Sequence, residues 1–446
     1  MRSPLESFRL RRIIIAYTVN RLGTWMGLVA LLVAVFDHTH SALAVAALLF
    51  AGQALPALVV PAIVARIEAS RRGSQLTGLY LLEAVLTVLL AVLVSRFWLP
   101  GILVLVALDG TAALAASALL RAEVARTARE QAAAEHGAPT VSEPEEPSAA
   151  ARFESSAQEA ERKANAALNV GFSVSFVLGP VLGGAVVAAA GSSPALLIDA
   201  GSFLCAGALL VDVYPHVEDA AGDSVRARLR AAWQHINQAP TLRPLLLVEA
   251  VAIVFLESAG PIEVSYAKGT LHAGDQGLGL LMTAWGAGAV VGSLVFARLL
   301  RRPLGVMLSL GTLTVGLAYV GYAAAPSLAI ACLAALIGGI GNGVELPSLN
   351  SIVQQLTPQR LHGRLMGAVE SITALCLAVG LPLGGALVAL SSPRVAFLLV
   401  GLATTATAGA LLGVWRGRPR PLADDIGPIG TAEALDEALP HSPIPK

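Results

Sequence analysis

Twelve long apolar runs, separated by short polar breaks, constrain the fold of this 446-residue chain more than any other feature. They lie near 13–36, 42–64, 76–94, 99–120, 164–190 and 195–214, then 245–268, 277–300, 304–322, 328–353, 365–390 and 395–415. A helix needs about 20 residues to cross roughly 30 Å of hydrocarbon. Backbone N–H and C=O groups have no water partner in lipid, so runs of this length must be helical. Composition agrees: 13% of the residues are charged, against about 25% in soluble globular proteins. The first run follows Arg9, Arg11 and Arg12, as in a signal peptide, but it is too long for one and contains Asn20 and Arg21. It is read as the first membrane helix.

The formal net charge is zero, which argues against nucleic acid as a partner. The lipid bilayer is the expected surroundings. Cys205, Cys332 and Cys376 fall within separate apolar runs and read as small core residues, not as a disulfide or metal set. His38 and His40 read as a solvated turn, so no metal site is expected. With a cytoplasmic amino terminus, 26 of the 30 basic residues lie on the inside, and Arg96, Lys268 and Arg394 lie outside. The positive-inside rule then puts both termini in the cytoplasm of a multi-pass cell (inner or plasma) membrane protein.

The loops divide the chain into residues 1–214, a polar linker at 215–243, residues 244–415 and a tail at 416–446 that reads as disordered. Within the first part, 123–161 is rich in Ala, Glu and Pro and reads as a long cytoplasmic loop with helical ends. A repeat supports this division. Gly179-Pro-Val-Leu-Gly-Gly184 returns as Gly380-Leu-Pro-Leu-Gly-Gly385, shifted by 201 residues, and Ala65-Arg66 returns as Ala297-Arg298, shifted by 232. The 31-residue difference is about what the 123–161 loop inserts into the first half. The expected fold class is therefore all-α integral membrane, with twelve helices in two parallel six-helix bundles.

This organisation resembles the major facilitator superfamily. Several strings are similar to its twelve-helix efflux branch of enterobactin exporters and macrolide efflux transporters: Asn20-Arg-Leu-Gly-Thr-Trp25, Gly179-Pro-Val-Leu-Gly-Gly184, Ala200-Gly-Ser-Phe203, Gly277-Leu-Gly-Leu-Leu-Met282 and Thr357-Pro-Gln-Arg-Leu-His-Gly-Arg364. The helix 5 string resembles the antiporter motif, with Ser175 where a further Gly is usual. The resemblance implies a gating and packing set of Arg66, Gly179, Pro180, Gly183, Gly184, Gly384 and Gly385. One departure stands out. The helix 2–3 loop has Pro61 and Ala65 where the family usually has Gly and Asp, which removes the inside latch unless Glu68 substitutes for that Asp.

Polar groups at membrane depth carry the candidate chemistry, since a charge at mid-helix costs about 2.5–3.5 kcal/mol even on insertion scales. Asp109 and Glu257 are the candidate proton-coupling acids. Asn20, Arg21, Trp25, Gln53, Glu263, Asn342 and Glu345 are candidates for a substrate cavity, which the resemblance places among helices 1, 4, 7 and 10. Glu249 and Glu263 share a face of helix 7 to within about 40°, and Glu257 is turned about 80° from Glu249. Arg21 and Asp109 lie at similar depth on helices running in opposite directions, and are expected to pair. Glu83 and Glu370 lie closer to the cytoplasmic ends and are expected to pair with loop arginines.

No P-loop string is present and no catalytic grouping clusters at either interface, so neither an ATPase nor another enzyme is expected, and no cofactor. The expected function is secondary transport, namely proton-coupled efflux of a small amphipathic or hydrophobic organic compound by alternating access. The alternative is a membrane scaffold or sensor that kept the fold.

Overall fold

The computed structural model describes residues 8–59, 75–136, 147–211, 233, 236–237, 242–299, 302–357 and 362–416. Twelve helices among them are long and apolar enough to span a membrane. The first six are α1 (Phe8–Thr39), α2 (Ala42–Val59), α3 (Gln75–Arg96), α4 (Leu99–His136), α5 (Pro147–Ala190) and α6 (Ser192–Leu209). The second six are α7 (Leu242–Thr270), α8 (Gly274–Arg298), α9 (Leu304–Ala324), α10 (Leu328–Gln355), α11 (His362–Leu390) and α12 (Pro393–Arg416). α2 and α7 each contain a π-helical turn, at Phe50–Ala54 and Tyr266–Thr270.

Helix pairing repeats with a shift of six. In the first set α1 packs on α5 and α6, α3 on α4 and α6, and α2 on α4; in the second α7 packs on α11 and α12, α9 on α10 and α12, and α8 on α10. Two bundles result, joined where α5 meets α8 and where α11 meets α2. Each bundle turns apolar side chains outward. On α3, Leu81, Leu82, Val85, Val88, Leu89 and Val92 form an exposed stripe. Such a surface would be a liability in water; in a bilayer it meets lipid.

The glycine strings of the repeat occupy equivalent places. A methyl group added at Gly183 would sit 2.9 Å from the Met26 Cα of α1, and one at Gly384 3.0 Å from the Ser258 Cα of α7, each within its own bundle. The following glycines face the opposite bundle. At Gly184 the methyl would lie 2.8 Å from the Asp275 carbonyl oxygen of α8, and at Gly385 3.1 Å from the Ala42 carbonyl oxygen of α2. Ser175, in place of the usual glycine, sets its Oγ 2.9 Å from the Thr18 carbonyl oxygen and so ties α5 to α1.

Two elements outrun their hydrophobic signal. α4 and α5 extend as helices well beyond 120 and before 164, through much of the segment read as a loop. Ion pairs hold these extensions: Arg129 bonds Glu161 between them, and fully buried Glu123 accepts from Arg9 at 2.8 Å and from Arg126 at 2.7 Å. Residues 137–146, nearly all of the linker, the tail beyond 416, and Arg66 with its loop lie outside the described residues.

Candidate functional site

A cavity of about 330 Å³ lies between the two bundles. Five sequence-derived candidates line it: Trp25 from α1, Gln53 from the π-helical turn of α2, Glu257 and Glu263 from α7, and Asn342 from α10. The remaining wall is apolar or aromatic, including Phe176, Trp285, Tyr319, Tyr322 and Phe397. No arginine, lysine or histidine lines it among the described residues. The rings form two groups. Trp25 tilts on Phe176 at 4.6 Å, while Trp285 stacks on Tyr319 at 5.7 Å and Phe397 stacks on Tyr322 at 4.7 Å. The Glu263 Oε1 is buried without a hydrogen-bond partner, beside Tyr322.

These aromatics were not foreseen, because an overall aromatic content of 5% says nothing about where the rings gather. Trp285, Tyr319 and Tyr322 do lie at helical spacings inside apolar runs, which is the signal the sequence offers. α4 contributes no residue to the cavity wall. Gly52 of α2 packs on Val106, and Gly110 of α4 approaches Pro56, so α2 stands between α4 and the cavity.

Four candidates therefore sit elsewhere. Glu345 is buried beside Glu249 and accepts from Thr312 Oγ1 at 3.0 Å. Asn20, Arg21 and Asp109 belong to a buried polar cluster inside the first bundle, together with Tyr80, Glu83, Thr87, Asp199 and Ser202. The expected Arg21–Asp109 pair does not form. Arg21 donates to Ser117 Oγ at 3.3 Å and lies over the Tyr17 ring at 5.5 Å. The reason is side-chain direction. Each side chain leans toward its own helix amino terminus, so on oppositely running helices two residues at equal depth point apart. Glu83 does not pair with a loop arginine either: it is fully buried, and neither carboxylate oxygen has a hydrogen-bond partner among the described residues. Glu370 is exposed. Asp199 is missing from the sequence-derived set, although an acid inside a membrane helix is the same signal that selected Asp109.

At the end of the molecule away from the start of α1, Lys268 bridges the bundles. Its Nζ lies 2.6 Å from Asp37 Oδ1 at the end of α1 and also bonds Asp275 at the start of α8. Lys268 is only 11% exposed, so the contact is partly shielded from screening. Lys268→Ala is expected to weaken this contact between the bundles by about 1 kcal/mol, or about fivefold in how often their ends part. Labelling of a cysteine placed at Ala46, which lies beneath Gly385 in the α2–α11 contact, checks this. A labelling rate equal to that of the Ala46→Cys parent would show that the bridge holds nothing shut.

Two symmetry-related six-helix membrane bundles enclosing an acid- and aromatic-lined cavity define an integral membrane protein of the transporter-fold class. The sequence profile of the Major Facilitator Superfamily matches residues 245–436 of this chain. It is 27% identical over 283 residues to the multidrug efflux pump Tap of Mycobacterium tuberculosis, covering 60% of this chain and 66% of Tap, a little under two thirds of that protein's length. It is 28% identical over 242 residues to the uncharacterized MFS-type transporter YfiS of Bacillus subtilis, covering 50% of this chain and 57% of YfiS. Solved structures share the fold at low identity. The nucleoside transporter NupG superposes with a TM-score of 0.68 at 12% identity over 92% of this chain and 100% of NupG. A bacterial homologue of the iron transporter ferroportin in its inward-facing state gives 0.64 at 16% over 92% and 99%.

Proposed function

We propose that the chain is a secondary transporter of the plasma membrane that exports a small amphipathic organic compound by alternating access, driven by protons. The cavity between the bundles carries this reading. Its volume suits a small organic molecule, and its rings and aliphatic side chains offer an apolar bed. Two carboxyl groups without a basic neighbour on the wall favour a compound bearing positive charge, held by carboxylate attraction and by ring faces. A sugar or phosphate would need a denser polar lining.

The relationship to Tap supports efflux as the direction. The glycine pairs that join α5 to α8 and α2 to α11 suit rocking of one bundle against the other, with Lys268 as a lock at that end. Asp109 and Glu257 are the proposed proton-coupling acids. Glu257 faces the cavity and Asp109 lies in the polar cluster behind it, so of these two only Glu257 is placed for substrate and proton to compete directly.

The test is accumulation of a panel of lipophilic compounds in an efflux-deficient host expressing the protein, with and without a collapsed proton gradient. Lower accumulation of cationic amphiphiles that depends on the gradient is the expected result. Net uptake from low external concentrations would overturn the direction. Orientation has its own check: a cysteine at Ala138 is expected to resist membrane-impermeant thiol reagents in intact cells, and ready labelling there would reverse the topology read from the basic residues.

A further inference from the structure

The buried polar cluster of the first bundle has three acids, and the transport cycle proposed above uses only Asp109. Glu83 from α3, Asp109 from α4 and Asp199 from α6 lie within one another's electrostatic range. Glu83 and Asp199 are 0% and 5% exposed. The titratable or charged groups facing them are Arg21 and Tyr17 from α1 and Tyr80 from α3. Arg21 is the one cation among these. Unsatisfied atoms fill the cluster: both carboxylate oxygens of Glu83, Oδ1 of Asp109 and Oδ1 of Asn20 are acceptors, and the Arg21 Nε–H and the Thr87 hydroxyl can donate. Asn20 and Thr87 are themselves at least nine-tenths buried. The orphan acceptor oxygens outnumber the orphan donors, four to two.

We propose that Glu83, Asp109 and Asp199 form a proton-binding site separate from the substrate cavity, in which Arg21 supports one carboxylate and the other two acids carry protons. Three carboxylates against one guanidinium would leave two uncompensated charges in a dry helix bundle. Breaking the charge balance of a buried group costs several kcal/mol, and a buried acid escapes that cost by taking a proton. Each such proton also turns a carboxylate into an O–H donor, which supplies what the orphan acceptors need. A metal ion fits less well, since no group of three ligating side chains is close enough to hold one among the described residues.

The site can communicate with the cavity through α1. The Asp199 carboxylate lies in the groove made by Gly23 and Gly27: a methyl group at Gly23 would fall 2.7 Å from its Oδ1, and one at Gly27 3.0 Å from its Cγ. One turn of the same helix carries Trp25 into the cavity. Loss of a proton from Asp199 puts charge into the α1–α6 seam, favours water there, and shifts the helix that holds Trp25. This link rests on the reading of the chain as a proton-coupled exporter; the protonation itself does not.

Infrared spectroscopy of the full chain in lipid nanodiscs tests both parts. The protonated-carboxyl C=O band at neutral pH is expected to lose about one carboxyl's intensity in Glu83→Gln and in Asp199→Asn, whichever acid holds the ion pair. Arg21→Gln is expected to gain one, because the last carboxylate then loses its counter-charge. Should Glu83→Gln not reconstitute, Asp109→Asn carries the same expectation. An unchanged band in the acid variants, or no gain in Arg21→Gln, overturns the site. These bands need neither substrate nor gradient, so a wild type that exports nothing would sink the transport reading and leave this result standing. Gradient-driven export that survives in Asp199→Asn would overturn the link to the cavity.

Discussion

Gly339→Leu is expected to abolish a folded, monodisperse protein, and Gly339→Ala to lower its melting temperature well below that of the parent. α8 and α10 cross at paired glycines, Gly288 and Gly292 on one helix and Gly339 and Gly343 on the other. A methyl group at Gly339 would meet the Trp285 carbonyl oxygen and come within 2.9 Å of the Ala289 nitrogen, both backbone atoms of α8. Backbone cannot rotate aside as a side chain can, so the helices must part. Overpacking of this kind costs about 3 kcal/mol or more where nothing yields. Lipid offers no hydrophobic drive to bring the pair back, because membrane helices associate through close packing. Gly409 is the control: a methyl group there meets nothing within 4 Å, so Gly409→Ala should leave the melting temperature unchanged or raise it slightly through helix propensity. Equal melting temperatures for Gly339→Ala and Gly409→Ala would mean that the α8–α10 contact does not hold the second bundle together.

The same crossing shows what the sequence makes legible. Twelve spans can be read directly because lipid imposes a length and a composition that few other environments demand. The repeated Gly179–Gly184 and Gly380–Gly385 strings locate equivalent contacts because only small residues let backbones approach so closely. The extensions of α4 and α5 were harder to read. Their Ala, Glu and Arg residues carry no membrane signal, and what fixes them is tertiary: Arg129 on Glu161, and Arg9 on Glu123. Depth along a helix was legible and direction was not. Equal depth suggested an Arg21–Asp109 pair, but each side chain leans toward its own amino terminus and the two diverge. Asp199 stood next to the string Ala200-Gly-Ser-Phe203 and carried the signal of a buried acid; its place against Gly23 and Gly27 needed the fold. The aromatic wall could not be read, since it gathers rings from α1, α5, α8, α9 and α12 that no local pattern connects.

Glu257→Gln is expected to weaken binding of cationic amphiphiles by about tenfold or more while leaving neutral compounds of the same size within about twofold. Glu257 and Glu263 are the two acids on a wall that otherwise offers rings, aliphatic groups, Gln53 and Asn342. A carboxylate buried against a ligand cation in such surroundings has no competing basic side chain. Removing one partner of a desolvated charge pair costs about 2–5 kcal/mol, of which tenfold is a lower bound. Glutamine keeps the size and a polar tip, so a neutral ligand resting on Trp285 and Tyr319 should lose little. Trp25 and Trp285 provide the readout, because both line the cavity and their fluorescence should report occupancy. Asp109→Asn separates binding from coupling. Asp109 does not touch the cavity, so its variant should bind cations as the parent does, exchange them across vesicles without a gradient, and fail to export them against one. Equal loss of neutral and cationic ligands in Glu257→Gln would mean that the residue shapes the cavity and does not read charge. Gradient-driven export unchanged in both Glu257→Gln and Asp109→Asn would remove the two acids from the proton path.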